Sequence, residues 1–108
     1  MKIYPFGAED APMLLLLPGT CCHWKSNFGA VIPLLADSFR VLCVSYDGFD
    51  ETEQTEFPTM IEETQKIEAY LKTHCGGHIR AAYGCSLGGS FVGLLAARQN
   101  IHMDYGIL

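Results

Sequence analysis

The chain has 108 residues, 49% hydrophobic and 18% charged, which suits one globular domain over 1–108 with a single core and leaves no room for two. Seven Lys and Arg against twelve Asp and Glu give a net charge of −5, which repels phosphate backbones and excludes nucleic acid as an expected partner. The longest apolar run, Met13–Leu17, is too short to cross a bilayer, so no membrane partner is expected. The N-terminus lacks an apolar segment of signal-peptide length, and an odd count of five cysteines fits reduced thiols in the cytoplasm.

Lys2–Phe6 is a candidate edge strand. Met13–Leu17 is a continuous apolar run ending at Pro18-Gly19, the pattern of a strand buried on both faces. Lys25–Ala36 places Phe28, Val31, Ile32 and Leu35 at helical spacing, with Pro33 expected to kink or divide the helix. Phe39–Tyr46 is a second apolar strand, stopped by the turn signal Asp47-Gly48. Asp50–Phe57 is an acidic loop. Pro58 marks a helix start, with Thr55 or Phe57 just before it. Met60, Thr64, Ile67 and Leu71 form one stripe of an amphipathic helix, Glu62, Glu63 and Lys66 lie off it, and Gly76-Gly77 stops it. Ile79–Tyr83 is a third buried strand, Leu87–Gln99 a helix carrying Phe91, Leu94, Leu95 and Arg98, and Met103–Leu108 a fourth strand.

This alternation predicts an α/β fold: three α/β/α layers around a mainly parallel sheet, with right-handed crossovers. Counting from Met13, the expected spatial order is second, first, third, fourth. Ligands of such sheets bind beyond the carboxyl ends of the strands. The loops Pro18–Trp24, Asp47–Phe57 and Gly84–Gly88 therefore share the functional end. Asp37-Ser38, His74–His78 and Asn100–His102 belong to the opposite end.

Gly84-Cys85-Ser86-Leu87-Gly88 matches G-x-S-x-G between a predicted strand and a predicted helix, the context the motif requires. A sharp strand-to-helix turn lifts one side chain clear of the sheet, and its neighbours two residues away must be small. Gly84 and Gly88 meet that demand for Ser86. The rival Cys85 is flanked at the same distance by Tyr83 and Leu87, which are too large. Ser86 is thus the candidate nucleophile, set against the simpler reading of a Gly-rich turn with a capping serine. The backbone N–H following Gly19, that of Thr20, and the N–H of Leu87 are candidate donors of an oxyanion hole.

Together the strand-Pro18-Gly19-Thr20 segment, Trp24, Val44-Ser45-Tyr46-Asp47-Gly48 and the Gly84–Gly89 turn resemble the N-terminal half of the α/β-hydrolase fold superfamily, from about Met13 to Leu108. The resemblance implies a truncated copy of that fold. It implies Ser86 as nucleophile, Thr20 and Leu87 as backbone oxyanion donors, and a small-molecule ester, thioester or amide as substrate. One departure is Pro18, where many relatives place His before Gly. The family's chain order of nucleophile, acid, then histidine is not met after Ser86, where His102 precedes Asp104. The chain is therefore expected to lack the acid and histidine of the triad, and to be inactive alone.

His23 is the one histidine in a loop at the functional end, and no acid is obviously placed to orient it. Cys21-Cys22-His23 and His74-Cys75…His78 are expected at opposite ends of the sheet, so no metal site is expected, and no phosphate-binding or dinucleotide motif calls for a cofactor. Asp47, Asp50, Glu51, Glu53 and Glu56 suit a solvated acidic loop, with turn-fixing as an alternative role for Asp47. Trp24, Phe28 and Phe91 are expected in the core, Trp24 with an equal claim to a pocket wall. The fourth strand leaves an open apolar edge, which predicts a homodimer or higher oligomer.

Overall fold

A computed structural model describes residues 1–19, 28–48 and 59–107. Five strands form one sheet: β1 (Lys2–Phe6), β2 (Met13–Leu17), β3 (Arg40–Ser45), β4 (His78–Gly84) and β5 (His102–Ile107). The described helices are α1 (Ile32–Leu35), α2 (Met60–Cys75) and α3 (Leu87–Arg98). The sheet order is β1-β3-β2-β4-β5. β1 runs antiparallel to β3, and the other three pairings are parallel. The expected order of the four parallel strands and the extra edge strand are both present.

β2 is central and buried on both faces because its side chains alternate between two cores. Leu15 and Leu17 join Val44, Tyr46, Ile67, Leu71, Phe91 and Leu95 beneath α2 and α3. Leu14 and Leu16 join Phe28, Ile32, Val41 and Cys43 beneath α1. The crossover from β2 to β3 therefore covers one face, and those from β3 to β4 and β4 to β5 cover the other. The chain changes direction across the sheet between β2 and β4, which is where open parallel sheets place their ligands. Burial pushes the Cys43 thiol up to about 12, so it packs as an inert apolar group.

Boundaries shift where local chemistry is stronger than the apolar pattern. The N-cap of α2 is Thr59, whose hydroxyl accepts from Glu62 N at 3.1 Å, rather than Thr55 or Phe57. Gly76 closes α2 in the left-handed region at φ 63°. Pro33 sits in the first turn of α1, where a missing N–H costs nothing. The expected helix start Lys25, Trp24 and the acidic loop Asp50–Phe57 lie outside the described residues.

The buried face of α2 is wider than the predicted stripe. Glu63 and Glu68, absent from that stripe, are buried along with Thr64, Ile67 and Leu71. Glu68 takes a two-pronged ion pair from Arg98, at 2.9 Å to Nε and 3.1 Å to Nη2, which fastens α2 to the end of α3.

Candidate active site

The turn between β4 and α3 is held by sterics. Ser86 has φ 55° and ψ −115°, outside the regions that L-residues favour. A Cβ on Gly84 would lie 2.1 Å from Gly88 O, and one on Gly88 would lie 1.9 Å from Leu17 O. Both glycines are therefore required for the close approach of helix, turn and sheet. Ser86 is exposed at the head of α3, and its side chain makes no capping bond to the helix. Ser86 is thus the N-cap residue by position, without a side-chain bond to the helix. Leu87, the first residue of α3, is among the positions whose N–H groups have no partner within the helix. The helix dipole adds to the attraction of negative charge at this point.

The end of β2 lies against this turn, with Cys85 N bonded to Leu17 O at 3.4 Å. Pro18 and Gly19 follow immediately, at the strand-order switch between β2 and β4. Thr20, the other expected oxyanion donor, lies outside the described residues, as do Cys21, Cys22 and His23. Tyr46 secures the Pro18 turn: its buried hydroxyl donates to Pro18 O at 2.9 Å. Its ring stacks on Phe91 of α3, with centroids 4.9 Å apart. One side chain thus links the turn after β2, the end of β3 and the helix that follows Ser86.

Asp47 belongs to this support and corrects the solvated-loop expectation. It is 3% exposed, and its carboxylate is bonded by Lys66 Nζ and the Met1 ammonium. Burial works to raise its pKa, but those bonds prevail and hold it down at about 2. Glu63 accepts from Asp47 N at 2.7 Å. Burial, aided by the charge of Asp47, pushes the Glu63 carboxyl up to about 7 against that hydrogen bond.

A stability profile follows from these two groups. The unfolded chain ionises Glu63 near its ordinary 4.5, whereas the folded chain holds the proton until about 7. Stability therefore falls as pH rises across that window. Asp47 acts oppositely, contributing above its ordinary 3.8 and losing that contribution as pH falls towards about 2. The thermal midpoint is expected to drop between about pH 5 and about pH 7.5, and Glu63→Gln is expected to flatten that limb. A wild-type profile that is level over this range, or an equal slope in the variant, contradicts the assignment.

The histidines of the described residues stand away from Ser86. His78 begins β4 and His102 begins β5, and His74 is in the last turn of α2. The length of β4, roughly 20 Å at the usual rise per residue, separates that end from Ser86. The separation predicted for His74, His78, His102 and Asp104 is present. The sequence reading missed that His78, His102 and Asp104 meet one another there.

No protein-family model matches the chain. A putative α/β-hydrolase family protein from Desulfitobacterium hafniense has a crystal structure that superposes with a TM-score of 0.88 and 25% identity, over 94% of this chain and 41% of that one. The chain has the α/β-hydrolase fold. A second α/β structure, from work on carboxylesterases of Nitrososphaera gargenis, superposes with a TM-score of 0.81 at 20% identity, over 97% of this chain and 39% of that one. In sequence, the chain is 32% identical to the proline iminopeptidase PfmaB of Pestalotiopsis fici, over 94% of its own length and 37% of that protein's. It thus spans about two-fifths of each relative. No helix among the described residues is long and apolar enough to cross a membrane.

Proposed function

We propose that this α/β-hydrolase chain is the nucleophile-bearing part of a serine hydrolase acting on a carboxylic ester or a related acyl compound. Ser86 carries the reading: an exposed residue held at φ 55° by two obligatory glycines, with a hydroxyl not used for capping. Its Oγ attacks the substrate carbonyl, and the N–H groups of Leu87 and Thr20 receive the developing oxyanion. A histidine must take the Oγ proton, and an acid must orient that histidine. Among the described residues none is placed for either task, and the proposal assigns both to the part of a longer protein that this chain does not span. No cofactor enters the scheme. Cys43, Cys75 and Cys85 are free thiols, which supports a reducing, cytoplasmic setting.

The ester assignment is tested by comparing p-nitrophenyl acetate with prolyl p-nitroanilide as substrates of the native-length protein. The reading expects ester turnover that disappears in Ser86→Ala. Turnover of the prolyl amide alone contradicts it and favours a proline iminopeptidase activity, the one named for the Pestalotiopsis relative.

A second reading makes the 108-residue chain a non-catalytic, self-associating module. β5 is the outermost strand of the described sheet, with Tyr105 62% and Ile107 47% exposed. Beside it lies an apolar groove of about 540 Å³ between α1 and the sheet, lined by Leu14, Leu16, Phe28, Val31 and Ile107. An open edge of this kind favours pairing with a second copy. Light scattering at micromolar concentration is expected to give a dimer or larger species, and a monomer contradicts this reading.

A further inference from the structure

We propose that His78, His102 and Asp104 form a binding site for a divalent transition-metal ion such as Zn²⁺, at the end of the sheet opposite Ser86. The site follows from strand register. β4 and β5 are parallel and place His78 directly beside His102. Two residues further along, Arg80 and Asp104 continue the same rows, and residues two apart share a side of a strand. His78 Nε2 lies 2.9 Å and His102 Nε2 3.2 Å from one oxygen, Asp104 Oδ1. All three donor atoms fall within 4.8 Å of one another.

Zinc binds imidazole nitrogen and carboxylate oxygen at about 2.0–2.2 Å, which sets tetrahedral donors about 3.4 Å apart. The separations of 2.9 and 3.2 Å are already close to that value, so small rotations of the exposed imidazole rings bring the set into coordination. Two imidazoles and one carboxylate suit zinc, copper or nickel better than calcium or magnesium. Three protein ligands leave a position for water.

The surroundings fit an ion better than they fit a bare cluster. Both imidazoles aim the same nitrogen at one oxygen, an arrangement that a single cation between them satisfies at once. Arg80 Nε stands 3.5 Å from the other oxygen, Asp104 Oδ2. It would fix the carboxylate's orientation as an outer-shell partner without occupying the coordinating oxygen. The imidazoles are 56% and 73% exposed, so an ion reaches them from solvent without opening the fold. The β4 strand lies between this cluster and Ser86, so the site is independent of the proposed acyl chemistry.

The test is Zn²⁺ titration of the chain by competition with a chromophoric chelator, with Co²⁺ spectra as a second readout. One ion per chain is expected. His78→Ala, His102→Ala and Asp104→Asn should each weaken affinity about tenfold or more. A Cys21→Ser, Cys22→Ser, His23→Ala background should leave affinity unchanged, and the Co²⁺ spectrum should lack a thiolate charge-transfer band. Far-UV circular dichroism identifies any variant that misfolds, and the more exposed His102→Ala then carries the comparison. Failure of wild type to bind, affinity unchanged in His102→Ala, or a thiolate band each overturns the proposal.

Discussion

Replacing Ser86 with alanine is expected to lower acyl hydrolysis by the native-length protein roughly 10⁴–10⁶-fold, with the fold retained. The expectation rests on two separable properties of one position. In the proposed scheme the hydroxyl is the attacking group, so its loss would remove the covalent path and leave only binding and oxyanion stabilisation. The backbone strain at φ 55° and ψ −115° belongs to the turn and persists in the alanine variant. Ser86→Gly removes both hydroxyl and strain. Such strain costs of order 1–3 kcal/mol, and glycine returns part of the gain through its looser unfolded chain. Ser86→Gly is thus expected to be inactive but about 1 kcal/mol more stable than Ser86→Ala. Denaturant melts of the two variants measure that difference. Equal stabilities would remove strain from the account, and full activity in either variant would remove the nucleophile.

Gly88→Ala is expected to destabilise the fold by about 3 kcal/mol or more. The added Cβ would sit 1.9 Å from Leu17 O and 2.7 Å from Leu17 C, both backbone atoms of the central strand. No rotamer change relieves such a contact; α3 or β2 has to move. Either shift disturbs the close approach of β2 to the turn and the apolar layer of Leu17 and Phe91. Gly84→Ala meets the backbone of Gly88 and Gly89 in the same way. Gly93 supplies the control. It lies in the same helix, exposed, with nothing within 4 Å of an added Cβ. Gly93→Ala should stabilise by up to about 1 kcal/mol through helix propensity alone. Thermal melts that rank Gly93→Ala above wild type and Gly88→Ala far below it bear out the steric account; similar values for both contradict it.

These two results concern a turn that was legible in the sequence because its chemistry is local. Five consecutive residues determine which neighbours must be small, and the apolar runs on either side place the turn between strand and helix. The strand order was readable for a related reason. Met13–Leu17 is apolar at every position, as only a central strand covered on both faces requires.

What escaped depends on register and on burial of charge. Asp47 looked like the first member of an acidic loop because its partners, Lys66 and the Met1 ammonium, are remote in sequence. Glu63 falls off the apolar stripe and Glu68 is not singled out, because periodicity ranks residues by polarity. Burial of Glu68 is compensated by Arg98, thirty residues away. His78 and His102 meet only once β4 and β5 are aligned side by side. The one available hint was the repeated two-residue step, His78-x-Arg80 and His102-x-Asp104, at the starts of two adjacent strands.

The central claim is that Ser86 is an activated nucleophile, and fluorophosphonate labelling of the folded, native-length protein tests it most directly. Such probes phosphonylate a serine whose proton is removed by a neighbouring base. Trypsin releases Ser86 in the peptide between Arg80 and Arg98, which fragmentation separates from an adduct on Ser90. The account predicts a single adduct on Ser86 that is absent in Ser86→Ala. No adduct on the folded protein, or one carried by another residue, would contradict it.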